Sequence, residues 1–255
     1  MKTDETVVDV SQDWVLACDV QEAFMQAPHT ASASLDYSAR CRQVRALGGD
    51  CYNFIPLKQD GLGMVVGDAS GKGLAGALMI ANVQSSLRTA ALFTGDDLAA
   101  LLKVVNGQTC VSFAEGRYAT LFYGVFDGST CTLRYVNAGH NPPVVIRQDG
   151  STHWLETGGA PVGLFADSEY REGEVRLETG HLLIAFTDGL IEAENPDGQE
   201  WGVEGLVKAA ASGAQRVQGA GDLVNSIFST MDDFCQGRQT DDATLAVIRV
   251  GPRAL

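Results

Sequence analysis

Four aspartates, Asp50, Asp68, Asp188 and Asp241, stand where extended segments of the chain begin or end. Each lies among small or turn-forming residues: Gly48-Gly49-Asp50, Gly67-Asp68-Ala69, Thr187-Asp188-Gly189 and Thr240-Asp241-Asp242. A carboxylate at a strand end is held rigidly yet can point into a shared cleft, and a neighbouring glycine lets a carbonyl or ligand approach closely. Such oxygen ligands suit Mg²⁺ and Mn²⁺, hard cations that keep several waters. Without a cation their convergence is costly. Two unit charges about 4 Å apart repel by roughly 4 kcal/mol at an effective dielectric near 20. A cleft that gathers them predicts either divalent metal or carboxyl groups of raised pKa. A single Asp-Gly pair is ordinarily a turn, so the weight rests on the ordered set.

Other candidate chemistries fare worse. Gly67 to Gly73 has the glycine content of a phosphate-binding loop, but only three residues separate Gly67 from Gly71-Lys72, and Gly73 takes the Ser/Thr position. Gly48-Gly49-Asp50 starts like the signature turn of diguanylate cyclases, and Cys51-Tyr52 breaks it. Cys51 is a poor nucleophile, because the adjacent carboxylate raises its thiol pKa; packing accounts for it better. His140 is a natural acid near neutral pH, although its neighbours Asn141-Pro142-Pro143 favour a loop-fixing role. Lys72 can reach a phosphoryl group, yet a lysine in a glycine turn is more often a solvated charge.

The 255 residues, 45% hydrophobic, suffice for one sizeable core. With 32 acidic against 18 basic residues the formal charge is −14, which argues against nucleic acid or an anionic membrane surface as partner. No apolar run is long enough to span a bilayer. Met1 to Val10 lacks the basic start and apolar stretch of a signal peptide. The six cysteines are scattered without a CxxC pair, which fits reduced thiols in a cytoplasmic protein and argues against a zinc site.

The elements that must position the aspartates follow from periodicity. Leu16, Val20 and Phe24 predict a helix over 13–26 that Pro28 ends, followed by a polar stretch from His29 to Ser34. Leu35 to Cys41 alternates as a strand does; Cys51 to Leu57 and Leu62 to Val66 read as two strands joined near Gln59-Asp60-Gly61. A helix then places Ile80, Val83, Leu87 and Ala91 on one face. Thr94 and Asp97 suggest a capping box for a second helix, with Leu98, Leu101, Leu102 and Val105 inward. Hairpins follow at 118–136 and 144–155, strands at 175–177 and 182–186, helices near 203–211 and 219–235, and a last strand at 243–250. Hairpins interleaved with helix pairs predict antiparallel sheets layered against helices in one domain.

The runs Gly48-Gly49-Asp50-Cys51-Tyr52-Asn53-Phe54, Gly67-Asp68-Ala69-Ser70-Gly71-Lys72-Gly73 and Asn137-Ala138-Gly139-His140-Asn141-Pro142-Pro143 resemble the SpoIIE/RsbU-type branch of the PP2C-like (PPM) phosphatases. Pro161-Val162-Gly163-Leu164, Phe186-Thr187-Asp188-Gly189-Leu190 and Asp241-Asp242-Ala243-Thr244 continue the likeness in order, over roughly residues 15–250. The resemblance implies an α+β fold, a four-layer αββα sandwich. It implies hydrolysis of protein phosphoserine or phosphothreonine by water activated between two Mn²⁺ or Mg²⁺ ions. It assigns Asp68 to both metals, the Ala69 carbonyl and Asp50 to one, and Asp188 and Asp241 to the other, with Asp242 the lower-ranked neighbour of Asp241.

It further implies a tail over 1–12, a dimerising or regulatory helix over 13–28, and the phosphatase domain over 29–251. The helices within 76–110 would be the pair whose shift completes the metal site. The implied substrate is a phosphorylated STAS-type anti-sigma-factor antagonist in partner-switching signalling; the alternative is a weak or inactive module that only binds a partner. Three positions depart from the pattern. Asn53 stands where a second aspartate is common, Ala69 replaces glycine or valine, and Ser70 replaces the histidine of eukaryotic relatives, which leaves the general acid unassigned.

Overall fold

The computed structural model describes residues 10–25, 35–57, 61–94 and 96–251. Two sheets stack face to face. The first has the order β1 (Leu35–Arg42), β11 (Ala243–Val250), β10 (Leu182–Phe186), β6 (Val144–Ile146) and β7 (Thr152–Trp154). The second has the order β2 (Asp50–Pro56), β3 (Leu62–Ala69), β4 (Ala119–Asp127), β5 (Thr132–Ala138) and β8 (Gly158–Gly159), with β9 (Gly173–Arg176) also on β5. Helices α2 (Leu74–Ala91) and α3 (Leu98–Ser112) cover the second sheet, and α5 (Gly202–Arg216) and α6 (Ala220–Cys235) cover the first.

Strand alternation builds the layers. In β10, Leu182, Ile184 and Phe186 pack with Leu206, Ile227 and Met231 of the helices, while Leu183 and Ala185 face the other sheet. In β3, Met64 and Val66 fill the space between the sheets, and Val65 meets Ile80, Val83 and Leu102. Both faces of each sheet are buried, which is why these strands read as continuous apolar runs. The result is the αββα sandwich expected.

The second sheet is mixed rather than purely antiparallel, because β8 runs parallel to β5 over Asn137↔Gly158 and Ala138↔Gly159. Two helix details also differ from expectation. Asp97, not Thr94, caps α3: its carboxylate accepts from Ala100 N at 2.8 Å, while Thr94 Oγ1 donates to Ala90 O at 3.1 Å. The helix starts at Leu98, so the carboxylate one residue earlier is the one that reaches a free N–H of the first turn. In α2, Ala90 is buried in place of Ala91, which faces outward.

The first helix, α1, spans Val10–Phe24. Its apolar face stays open, with Leu16 61% and Val20 57% exposed. A cleft of about 290 Å³ lies between them and Leu74 and Leu78 of α2. Polar contacts hold α1 instead. Gln21 is buried, donating from Nε2 to Gly48 O at 2.7 Å and accepting from Gly48 N at 3.2 Å. The expected helix end at Pro28, most of the tail over 1–12, the stretch from His29 to Ser34 and the turn residues Gln59 and Asp60 lie outside the described residues. No helix among the described residues is long and apolar enough to cross a membrane.

Candidate metal centre

Antiparallel pairing of β2 with β3 sets Asp50 directly opposite Asp68. Residues paired across a ladder project from the same face, so the two carboxylates are neighbours by register. The other sheet is tied to this pair. Asp50 is buried, and its Oδ2 accepts from Thr187 Oγ1 and Thr244 Oγ1, each at 2.7 Å. Thr187 directly precedes Asp188, which opens the short helix α4 (Asp188–Ile191) at the end of β10; Thr244 follows Asp241-Asp242 at the start of β11. Because β10 and β11 are adjacent and antiparallel, their linked ends bring Asp188 and Asp241 to the same edge. Gly189 permits the approach. A Cβ there would overlap the Asp242 carbonyl and stand 3.2 Å from the Asp241 carbonyl carbon.

The charges of these carboxylates bear on one another. Burial pushes Asp68 up to about 7, helped by the charges of Asp188, Asp241 and Asp242, with a hydrogen bond to Asp50 opposing. Asp50 is raised well above the carboxylate range by burial and by Asp68, against the two threonine hydroxyls. Asp188 is raised by burial and Asp241, with the Gly189 N–H and Lys72 opposing.

The donor set suits a hard divalent cation. It is all oxygen, it is short of positive charge, and a main-chain cradle adjoins it. A Cβ on Gly49 would stand 2.9 Å from Gly71 O, 3.0 Å from Ala69 O and 3.2 Å from Asp68 Oδ1. Among the described residues no three His, Cys, Asp or Glu side chains are already grouped to hold one ion. Mg²⁺ is commonly bound through one or two carboxylates and waters, so a closed protein cage is not required. The Lys72 ammonium meanwhile lies 2.6 Å from Asp241 Oδ2, where it meets part of the demand for positive charge.

Three of the singled-out residues have other work. Asp242 accepts from Val44 N at 2.8 Å through Oδ1 and from Gly49 N at 3.1 Å through Oδ2, pinning the segment that leads into Asp50. His140 is buried, with Nδ1 2.9 Å from Thr120 Oγ1; its N–H donates to Asn137 Oδ1 at 2.7 Å, and Asn137 Nδ2 donates back to His140 O at 3.0 Å. Burial lowers its pKa to about 4, so the ring is neutral at pH 7. Cys51 is fully buried with a raised thiol pKa, as its packing role requires.

The roles of four residues around the site escaped the sequence reading. Gln21, Thr187 and Thr244 are ordinary polar residues whose roles arise from contacts between distant segments. Glu192 has a carboxyl raised by burial and by Asp188 one helical turn earlier. Only that i, i+4 spacing offered a signal.

A pH dependence follows for the metal-free protein. A carboxyl whose folded pKa is raised stabilises the fold below its unfolded pKa near 3.9, and that contribution is lost as pH rises through about 7. In EDTA, Asp68→Asn is therefore expected to unfold at higher temperature than the parent at pH 8. The gain is on the order of 2 kcal/mol after discounting for solvent, and it shrinks to nothing near pH 4. Equal melting temperatures across that range would show that Asp68 is not under charge stress.

A family model described as Stage II sporulation protein E (SpoIIE) matches residues 58–251. Protein IcfG of Synechocystis sp. is 28% identical over 194 residues, covering 65% of this chain and 30% of that protein. Phosphoserine phosphatase RsbU of Bacillus subtilis (strain 168) is 24% identical over 249 residues, covering 94% of this chain and 71% of that one. The chain thus spans less than a third of the length of IcfG. Among solved structures, the SiaA-PP2C domain of Pseudomonas aeruginosa superposes with a TM-score of 0.82 at 20% identity, covering 97% of this chain and 99% of that one. With its paired sheets, its facing aspartates and a family model matching most of its length, the chain belongs to the SpoIIE family of PP2C-like phosphatase domains.

Proposed function

We propose that this domain is a metal-dependent phosphatase that removes phosphate from phosphoserine or phosphothreonine on a protein. The observation that carries the reading is Asp68, opposite Asp50 in the sheet and burdened by the charges of Asp188 and Asp241. Asp68 would contact two ions, with Asp50 and the Ala69 carbonyl serving one, and Asp188 and Asp241 the other. When bound, Mn²⁺ or Mg²⁺ supplies Lewis acidity that activates water and offsets phosphoryl charge.

The chain's own residues do the positioning. Thr187 and Thr244 fix the Asp50 carboxylate, Asp242 and Gln21 hold the segment before it, and α4 presses Asp188 toward Asp241. Lys72 releases Asp241 and turns to the phosphoryl oxygens. His140 stays neutral and buried, holding its loop, and donates no proton to the leaving group.

The substrate class follows from the family and from the relative named a phosphoserine phosphatase. A phosphorylated STAS-type anti-sigma-factor antagonist in the cytoplasm is the partner proposed. A second reading, a partner-binding module without turnover, draws on the Lys72–Asp241 ion pair and on the absence of a ready three-ligand group among the described residues. Release of phosphate from p-nitrophenyl phosphate separates the two. The phosphatase reading expects turnover that requires Mn²⁺ or Mg²⁺ and stops in EDTA; turnover indifferent to metal would overturn it, and no turnover with either ion leaves the second reading standing.

A further inference from the structure

The turn Gly71-Lys72-Gly73 joins β3 to α2 beside the aspartates, and three cationic side chains gather on it. Lys72 Nζ lies 2.6 Å from Asp241 Oδ2. A Cβ on Gly71 would stand 3.1 Å from Arg117 Nη1, and a Cβ on Gly73 would stand 3.4 Å from Arg45 Nη1. The two guanidinium groups therefore lie along the turn on either side of Lys72. Arg117 Nη1 also donates to Ser70 O at 2.8 Å, which fixes its direction. All three side chains are exposed, and among the described residues neither arginine has a carboxylate partner.

Chemistry decides what such a row meets. The chain carries a formal charge of −14, so its overall field opposes the approach of a phosphoprotein. Three cationic heads along one short turn offset that field locally, at the mouth of the carboxylate cluster. Guanidinium groups form paired hydrogen bonds with carboxylates and phosphates, and nothing among the described residues uses these two for an ion pair. We propose that Arg45, Lys72 and Arg117 form a basic rim that receives an acidic substrate segment, with the phosphorylated residue over Lys72 and acidic residues on both sides over the arginines. The proposal rests on the phosphatase reading and adds to it a substrate sequence preference.

The test compares two phosphoserine peptides, identical except that one carries aspartates on both sides of the phosphoserine and the other carries asparagines. Turnover with Mn²⁺ and binding by fluorescence anisotropy are both measured on the full chain. At low salt the parent is expected to prefer the acidic peptide about tenfold in kcat/KM, the sum of two exposed charge pairs. That preference should fade toward unity in about 0.5 M salt. The double variant Arg45→Glu/Arg117→Glu should reverse it, and Arg45→Lys/Arg117→Lys should retain most of it. Both arginines are exposed, so circular dichroism melts should coincide with the parent's. Equal kcat/KM for the two peptides, or a preference untouched by the glutamates, would overturn the proposal. If no protein turns over either peptide, the phosphatase reading fails, and the anisotropy ratio alone then decides the rim.

Discussion

Asp68→Asn and Asp188→Asn are each expected to lower Mn²⁺-dependent turnover of p-nitrophenyl phosphate by about a thousandfold or more. Loss of metal-derived stabilisation on the order of 4 kcal/mol in the transition state corresponds to that factor. Neither change should unfold the protein. The amide oxygen that replaces a carboxyl oxygen of Asp68 can still accept from Asp50, and both substitutions remove charge from an overcrowded cluster. The contrast with Asp242→Asn is informative. Its two oxygens already accept from Val44 and Gly49 N–H groups, so this change should cost about 1–2 kcal/mol of stability and less than tenfold in turnover. Steady-state kinetics with thermal melts on the three variants checks this. A folded but inactive Asp242→Asn, or an active Asp188→Asn, would contradict the assignment.

Gly189→Ala should be among the most damaging small substitutions near the site. The added methyl would run into the Asp242 carbonyl, whose carbon lies 2.9 Å from where the methyl would be. Backbone rather than a flexible side chain stands in the way, so relief requires α4 to move away from the start of β11. The expected cost is about 2–4 kcal/mol, beyond ordinary overpacking. Asp188 would move with it, and Mn²⁺ affinity should fall at least tenfold by calorimetry. Retention of both stability and affinity would mean that α4 does not set the spacing between Asp188 and Asp241.

The layers of the sandwich were legible because helices and strands carry signals of different period. Ile80, Val83 and Leu87 announce a helix face, and the apolar run Leu182 to Phe186 announces a strand buried on both sides. The aspartates were legible as strand-end carboxylates beside glycines. What stayed hidden depends on contacts between distant segments. Parallel pairing of Gly158-Gly159 with Asn137-Ala138 leaves no periodicity in two residues. Gln21 looks like a polar position on an amphipathic helix, yet among the described residues of α1 it is the one buried, while Leu16 and Val20 stay in the open. The cap of α3 falls on Asp97 rather than Thr94 because either residue satisfies the local rule and packing chose where the helix starts. Thr187 and Thr244 acquire meaning only once both sheets meet at Asp50.

Anomalous diffraction from a crystal soaked in Mn²⁺ tests the central claim most directly, since it locates cations without reference to activity. The expected map has two peaks flanking the Asp68 carboxylate, one toward Asp50 and the Ala69 carbonyl, the other toward Asp188 and Asp241, with the Lys72 ammonium withdrawn from Asp241. Manganese bound away from Asp68, or none at the cluster at millimolar concentration, would contradict the account.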